Sequence, residues 1–183
     1  MKRVFDIIFS FLGLFFLSPL LFALVFIAYF ETRSPIFVQE RVGKNMKPFR
    51  LLKFRSMHLN VPDVATHFVN SSNVTPFGRF LRKSKLDELP QLWNVFVGDM
   101  SLVGPRPNLF NQEELIAQRE ENGVYSVRPG ITGLAQISKI DMSTPKLLAQ
   151  IDARMIEKLD ILSYFKYIFL TIFGKGFGDR IKE

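Results

Sequence analysis

The chain has 183 residues and a formal net charge of +7, and 48% of it is hydrophobic, with 20 Phe. Length points to one modest domain, and a chain this basic yet this rich in Phe suits an anionic membrane surface, so nucleic acid is not expected as a partner. With no Cys and two His, disulfides, thiolate nucleophiles and Cys-based zinc sites are excluded, and His58 and His67 do not form a HExxH pair.

From Ile7 to Phe30 there is no charged residue. The stretch is too long for a signal peptide and no small-x-small cleavage site follows it, so a membrane segment is expected. About 20 apolar residues suffice to span a bilayer, but two features favour a re-entrant hairpin. Ser18-Pro19 breaks the run, and proline removes an intrahelical hydrogen bond. Each half is then roughly a dozen residues, about 18 Å, shorter than the hydrocarbon core. The flanks also agree in sign, with Lys2 and Arg3 before the segment and Arg33, Arg41, Lys44 and Lys47 after it. Positive flanks prefer the cytoplasm, which places both ends on that face. Residues 1–32 are therefore read as a re-entrant, non-spanning membrane hairpin broken at Ser18-Pro19. Residues 33–183 are read as a small cytoplasmic, membrane-associated catalytic domain.

Next, PIFVQERVG alternates and predicts a short strand, Gly43-Lys44-Asn45 a turn, and FRLLKFRSM a short extended or helical piece. VPDVATHFVNSSNVTPFG reads as a loop, and its sequons at Asn70 and Asn73 as coincidences. FGRFLRKSKLDELPQLWNVFVGDM reads as helical. A helix starting near Asp87, with Pro90 in its first turn, would set Asp87 and Glu88 at a positive N-terminus. SLVGPRPNLF and VRPGITGLAQI read as loops, and NQEELIAQREEN as a solvated acidic helix. TPKLLAQIDARMIEKLDIL predicts an amphipathic helix with Leu147, Leu148, Ile151, Met155, Ile156 and Leu159 on one face. Residues from about 160 to 173 read as an interfacial helix, and a buried core helix fits the same spacing. The expected class is an α-dominated α+β fold with amphipathic interfacial helices.

The chain has no P-loop and no DxD pair, and GKGFG does not follow a strand. A nucleophile must come from Ser, Thr, Asp, Glu, Lys or Tyr. Alone, Asp87-Glu88 reads as a solvated helix start. Its company changes that reading. Arg106 stands between prolines in GPRP, Arg128 in RPG, Lys53 and Arg55 in KFR, and Arg82 just ahead of the acids. Arginines in stiff loops are forks for phosphate oxygens. Acids beside cations in an apolar, membrane-facing body point to a phosphorylated substrate, with Mg2+ reconciling carboxylate and phosphate.

The motifs KRVFD, the Ser18-Pro19 break, FVQERVG, FRLLKFRSM, TPFGRFLRKSKLDELPQLWNV, GDMSLVGPRP and RPGITGLAQI run nearly end to end. Together they resemble the bacterial sugar transferases, or monotopic phosphoglycosyl transferases. The resemblance implies transfer of a sugar 1-phosphate from a UDP-sugar to a polyprenyl phosphate, usually undecaprenyl phosphate, with release of UMP. This is the first membrane step of a bacterial glycan or glycoconjugate pathway, at the cytoplasmic face of the inner membrane. By the same resemblance Asp87 is the covalent nucleophile and lies at the Mg2+, Glu88 is its dyad partner, and membrane phospholipid surrounds the hairpin. Homo-oligomers and contacts with pathway glycosyltransferases stay open, as does the sugar. The chain departs from the family in TGLAQISKID, where a Trp and an Asn-Gly-Arg-like continuation are usual. The late Asp has a counterpart at Asp152, within IDARMIEKL. Without the large multi-span domain of bigger members, it reads as the minimal catalytic form. Two other classes remain: a non-catalytic basic peripheral membrane module that binds anionic lipids, and a direct glycosyltransferase that releases UDP.

Overall fold

The computed structural model describes residues 2–59 and 71–173. His67, the sequon at Asn70 and the GKGFG run lie outside them. The fold is mostly helical with two small two-stranded sheets.

The apolar N-terminus forms α1 (Lys2–Phe16) and α2 (Ser18–Thr32), bent by 62° at Leu17. The sequence dictates the bend. Pro19 has no N–H to give the Phe15 carbonyl four residues back. The Ser18 hydroxyl donates to that carbonyl instead, at 2.7 Å, which satisfies the break locally. Among the described residues no single helix is long and apolar enough to cross a membrane, and only this bent pair reaches that size.

Both ends of the pair are fastened to the same body. At the start, Lys2 Nζ donates to the Leu159 carbonyl, and Arg3 donates to the Val95 and Phe96 carbonyls at 2.5 and 2.9 Å. Asp6 is buried and accepts from Ser101 Oγ, the Leu102 N–H and the Tyr164 hydroxyl, at 3.0, 2.9 and 2.8 Å. At the other end, Glu31 accepts from Thr75 Oγ1 at 2.6 Å and from the Phe77 N–H at 3.0 Å. Between these anchors the outward side chains are bare hydrocarbon, with Phe15, Phe16, Phe22, Phe26 and Phe30 all exposed.

The expected strand is β1 (Ile36–Val42), and the ambiguous piece after the turn is β2 (Pro48–Phe54), paired antiparallel with it. Register sets Gln39 opposite Leu51 and Arg41 opposite Phe49, so these residues share one face with Lys53. Phe49 and Leu51 on that face join Val95 and Met100 in one core cluster.

The two GP-rich stretches read as loops contain β3 (Ser101–Val103) and β4 (Gly130–Thr132), a parallel pair. Their backbones touch where the loops leave the strands. A methyl group added at Gly130 would overlap the Gly104 backbone nitrogen, and one at Gly104 would come within 2.5 Å of the Arg128 carbonyl. Gly130→Ala is expected to cost roughly 3 kcal/mol or more, since backbone has no rotamer to yield. Thermal unfolding would read this as a fall of several degrees.

α5 (Glu113–Glu121), α6 (Leu134–Ile137) and α7 (Pro145–Lys158) close one side, with Leu115, Ala135 and Leu148 in contact. Two expectations need correction. α5 is not simply solvated, because Leu115 and Arg119 are buried in it, and on α7 Leu147 is exposed while Ala149 and Asp152 join the buried face. α8 (Ile161–Ile172) is capped by Asp160, whose carboxylate accepts from the Ser163 N–H and hydroxyl. These bonds hold the Asp160 carboxyl below its ordinary range. α8 buries Tyr164 yet leaves Leu162 and Ile172 at 78% and 74% exposure, so it is half core helix and half bare apolar face.

Candidate active site

The acid pair is positioned by a break between two helices. α3 (Pro76–Ser84) begins with Thr75 accepting from the Gly78 N–H at 2.9 Å, the arrangement preferred at a helix N-cap. It ends at Lys85, whose left-handed backbone (φ 59) turns the chain sharply. Leu86–Glu88 is then one 3-10 turn, and α4 (Gln91–Val97) starts only afterwards. The expected helix start at Asp87 is therefore corrected. Pro90 offers no N–H, and the backbone closes on i→i−3 bonds, from Leu89 to Leu86 and from Trp93 to Pro90. The acids precede the α4 terminus, so the helix dipole is not what serves them.

A three-residue period stacks Leu86 and Leu89 on one line. Both pack on the cluster of Leu24, Phe54 and Leu81, where α2 meets the sheet. With those leucines committed to the core, Asp87 and Glu88 lie in the same turn at 5% and 9% exposure. Two adjacent buried carboxylates demand compensating cations. Arg106 supplies one, donating from Nη2 to Glu88 Oε1 at 2.6 Å. The turn packs against β2, whose Lys53 is buried. Lys53, Arg41, Gln91 and Arg106 line one shallow recess, with Pro107 and Gly130 at its wall. The turn with the two carboxylates is thus joined through Arg106 to a recess whose lining carries three cations, which suits an anionic ligand.

Arg106 sits on a loop held along its backbone. The carbonyls of Gly104, Pro105, Arg106, Pro107 and Asn108 accept, in turn, from Gln136 Nε2, the Gly130 N–H, Arg119 Nη1, Arg41 Nη1 and the Val42 N–H. Arg119 and Asp152 form a buried ion pair of 2.7 Å. Burial pushes the Asp152 carboxyl up from its ordinary range, while Arg119 pulls it down.

Of the expected site residues, Glu88 meets Arg106, and Lys53 lines the same recess as Arg106 on the strand that packs against the Asp87-Glu88 turn. The other three expected phosphate ligands make contacts of their own. Arg55 donates to the Ser34 carbonyl and hydroxyl and lies over the Phe37 ring. Arg82 Nε donates to Ser56 Oγ at 2.7 Å. Arg128 Nε donates to the Gly98 carbonyl at 2.7 Å, at the far end of α4 from the acids. Sequence reasoning missed Arg41 and Gln91, both on the recess. Arg41 was detectable in FVQERV, because alternation sets it on one face with Gln39. Gln91 had no such signal.

Among the described residues no group of three or more acids or His is arranged to hold a metal. Magnesium does not require one, since it commonly takes one or two carboxylates together with substrate phosphates and water. The carboxylate oxygens of Asp87 and Glu88, buried in one turn, are of the kind that mode takes.

Comparison with known proteins places this geometry. The model of the bacterial sugar transferase family matches residues 1–176. An Escherichia coli (strain K12) relative named UDP-glucose:undecaprenyl-phosphate glucose-1-phosphate transferase is 38% identical over 98% of this chain and 41% of its own length. An Aeromonas hydrophila relative named UDP-N-acetylgalactosamine-undecaprenyl-phosphate N-acetylgalactosaminephosphotransferase is 36% identical over 98% of this chain and 45% of its own. The exopolysaccharide production protein PSS of Rhizobium leguminosarum bv. phaseoli is 35% identical over 97% of this chain and 98% of its own. The chain thus spans about two-fifths of the E. coli relative and nearly all of the Rhizobium one. With the acid pair and its cations inside the matched span, the chain belongs to the bacterial sugar transferase family.

Proposed function

We propose that the chain transfers a sugar 1-phosphate from a UDP-sugar to a polyprenyl phosphate and releases UMP. The observation that carries this reading is the buried Asp87-Glu88 turn beside a recess lined by Lys53, Arg41 and Arg106, with Arg106 bonded to Glu88. The names of the E. coli and Aeromonas relatives support the substrates.

In this scheme an Asp87 oxygen attacks the β-phosphorus of the donor. The bond from that phosphorus to the bridging oxygen breaks, and UMP leaves with the electron pair. The phosphosugar stays on Asp87 as an acyl phosphate. An oxygen of the polyprenyl phosphate then attacks the same phosphorus, the carboxylate leaves, and a polyprenyl diphosphate sugar forms. Carboxylates are established carriers of this kind. Arg106 and Lys53 face the charge that builds on the equatorial oxygens, and Glu88 fixes the Arg106 fork. Magnesium bound at Asp87 and the donor phosphates would neutralise charge between two anions that otherwise repel.

The apolar faces supply the place of reaction. Anchoring at Asp6 and Glu31 brings both ends of the hairpin to one body, which supports a re-entrant rather than spanning segment at the cytoplasmic face. The bare side of α8 extends that face as an interfacial helix. A site held at headgroup depth meets a soluble donor and a lipid acceptor in turn.

The test is a panel of UDP-sugars, beginning with glucose and N-acetylgalactosamine, offered with undecaprenyl phosphate and Mg2+. UMP release supports the proposal. UDP release would point to direct glycosyl transfer. Vesicle binding without nucleotide release across the panel would leave a non-catalytic membrane module. Arg106→Ala is expected to lower turnover roughly 10²- to 10³-fold, as for loss of one fixed charge-stabilising donor. The variant should still fold, because the Arg106 side chain is partly exposed.

A further inference from the structure

The buried Arg119–Asp152 pair has no part in the scheme above, yet it lies directly behind Arg106. Arg119 is 1% exposed and Asp152 0%. Arg119 Nη1 donates both to the Arg106 carbonyl and to Asn108 Oδ1, each at 2.8 Å, while Nη2 donates to Asp152 Oδ2 at 2.7 Å. Tyr125 adds a hydroxyl donor to the same Asn108 oxygen, at 3.1 Å.

A pair selected for stability alone would satisfy its own atoms. This one leaves Arg119 Nε and Asp152 Oδ1 buried without a partner, a costly arrangement in a low-dielectric interior. Its geometry goes instead to the carbonyl of the residue that grips Glu88. The contact needs a planar fork reaching two acceptors and a carboxylate at once, which an ammonium cannot reproduce. We infer that Arg119 and Asp152 are positioning residues: they link α5 and α7 to the Arg106 carbonyl and so fix the guanidinium against Glu88. The inference rests on Arg106 serving the phosphoryl-transfer site.

The test is a double-mutant cycle in the full chain with UMP release as readout. Arg119→Lys and Asp152→Asn are each measured alone and in an Arg106→Lys background, with KM for the UDP-sugar and Tm beside kcat. Misplacing a reacting group by about 1 Å costs on the order of 100-fold, so each single variant is expected to lose roughly 10- to 100-fold in kcat with KM nearly unchanged. In the Arg106→Lys background that loss shrinks to under about 3-fold, because the residue being positioned is already blunted. The fall in Tm is the same in both backgrounds. An equal kcat loss in both backgrounds, or one that tracks Tm, makes the pair merely structural and overturns the inference. Should neither variant fold, Tyr125→Phe, which removes the hydroxyl that donates to Asn108, is read the same way. A small kcat loss that vanishes beside Arg106→Lys supports positioning, and an unchanged or background-independent kcat overturns it. If Arg106→Lys alone leaves turnover at the native level, the site reading falls first and the inference with it.

Discussion

Replacing Asp87 with Asn is expected to abolish UMP release, with turnover falling on the order of 10⁴-fold or more, as when an enzyme loses its nucleophile. The amide has nearly the shape of the carboxylate but cannot form the acyl phosphate. Vesicle binding should persist, because the apolar faces of α1, α2 and α8 lie elsewhere. The site will also lose one negative charge, while Lys53, Arg41 and Arg106 remain. Affinity for the anionic donor is therefore expected to hold or rise while chemistry stops. Quenching the native protein midway with donor and no acceptor should show the phosphosugar mass on the Asp87 peptide, and the Asp87→Asn protein should show none. An adduct on any other residue in the variant would displace Asp87 from its role. Glu88→Gln should behave differently. It weakens the bond from Arg106 without removing the nucleophile, so a partial loss with the adduct still formed is expected.

That separation was only half visible in the sequence. The acid pair and Arg106 drew notice because local signals reported them: DEL stands beside a proline and GPRP stiffens an arginine. The first strand was legible in the alternation of FVQERV, and the bend between α1 and α2 because a proline interrupts an uncharged run. What stayed hidden depends on long-range packing. β3 and β4 are three residues each, too short for alternation to register, and their parallel pairing joins segments far apart in the chain. The helix start was misplaced by the left-handed Lys85, a conformation unusual for a residue with a side chain. Arg119 looked like one charge among many in QREEN, since nothing in the sequence says that Asp152 comes to meet it 33 residues later. The arginines at 55, 82 and 128 were read as phosphate ligands from their place in short motifs, and motifs say nothing of the long-range bonds they make, to the Ser34 carbonyl, the Ser56 hydroxyl and the Gly98 carbonyl.

The largest expected effect on topology comes from the anchors rather than from the proline. A straight helix from Lys2 to Thr32 would be roughly 45 Å long and would carry its first residues far from its last. Restoring an N–H at position 19 favours such a helix by up to about 3 kcal/mol. Straightening opposes this by tearing Asp6 from its three donors, each worth roughly 1.5–3 kcal/mol to a charged acceptor, or Glu31 from its two. The anchors win on these magnitudes. A Lys2→Cys reporter is specific because the chain has no other Cys, and since it also removes the Lys2 bond to Leu159 it serves as the common background of every variant. Labelled with a membrane-impermeant thiol reagent, it should stay on the face of the catalytic domain in Pro19→Ala. It should reach the opposite face in a substantial fraction of molecules only when Asp6→Ala and Arg3→Ala are added. Relocation in Pro19→Ala alone would make the proline, not the buried carboxylate at the foot of α1, the element that turns the chain back.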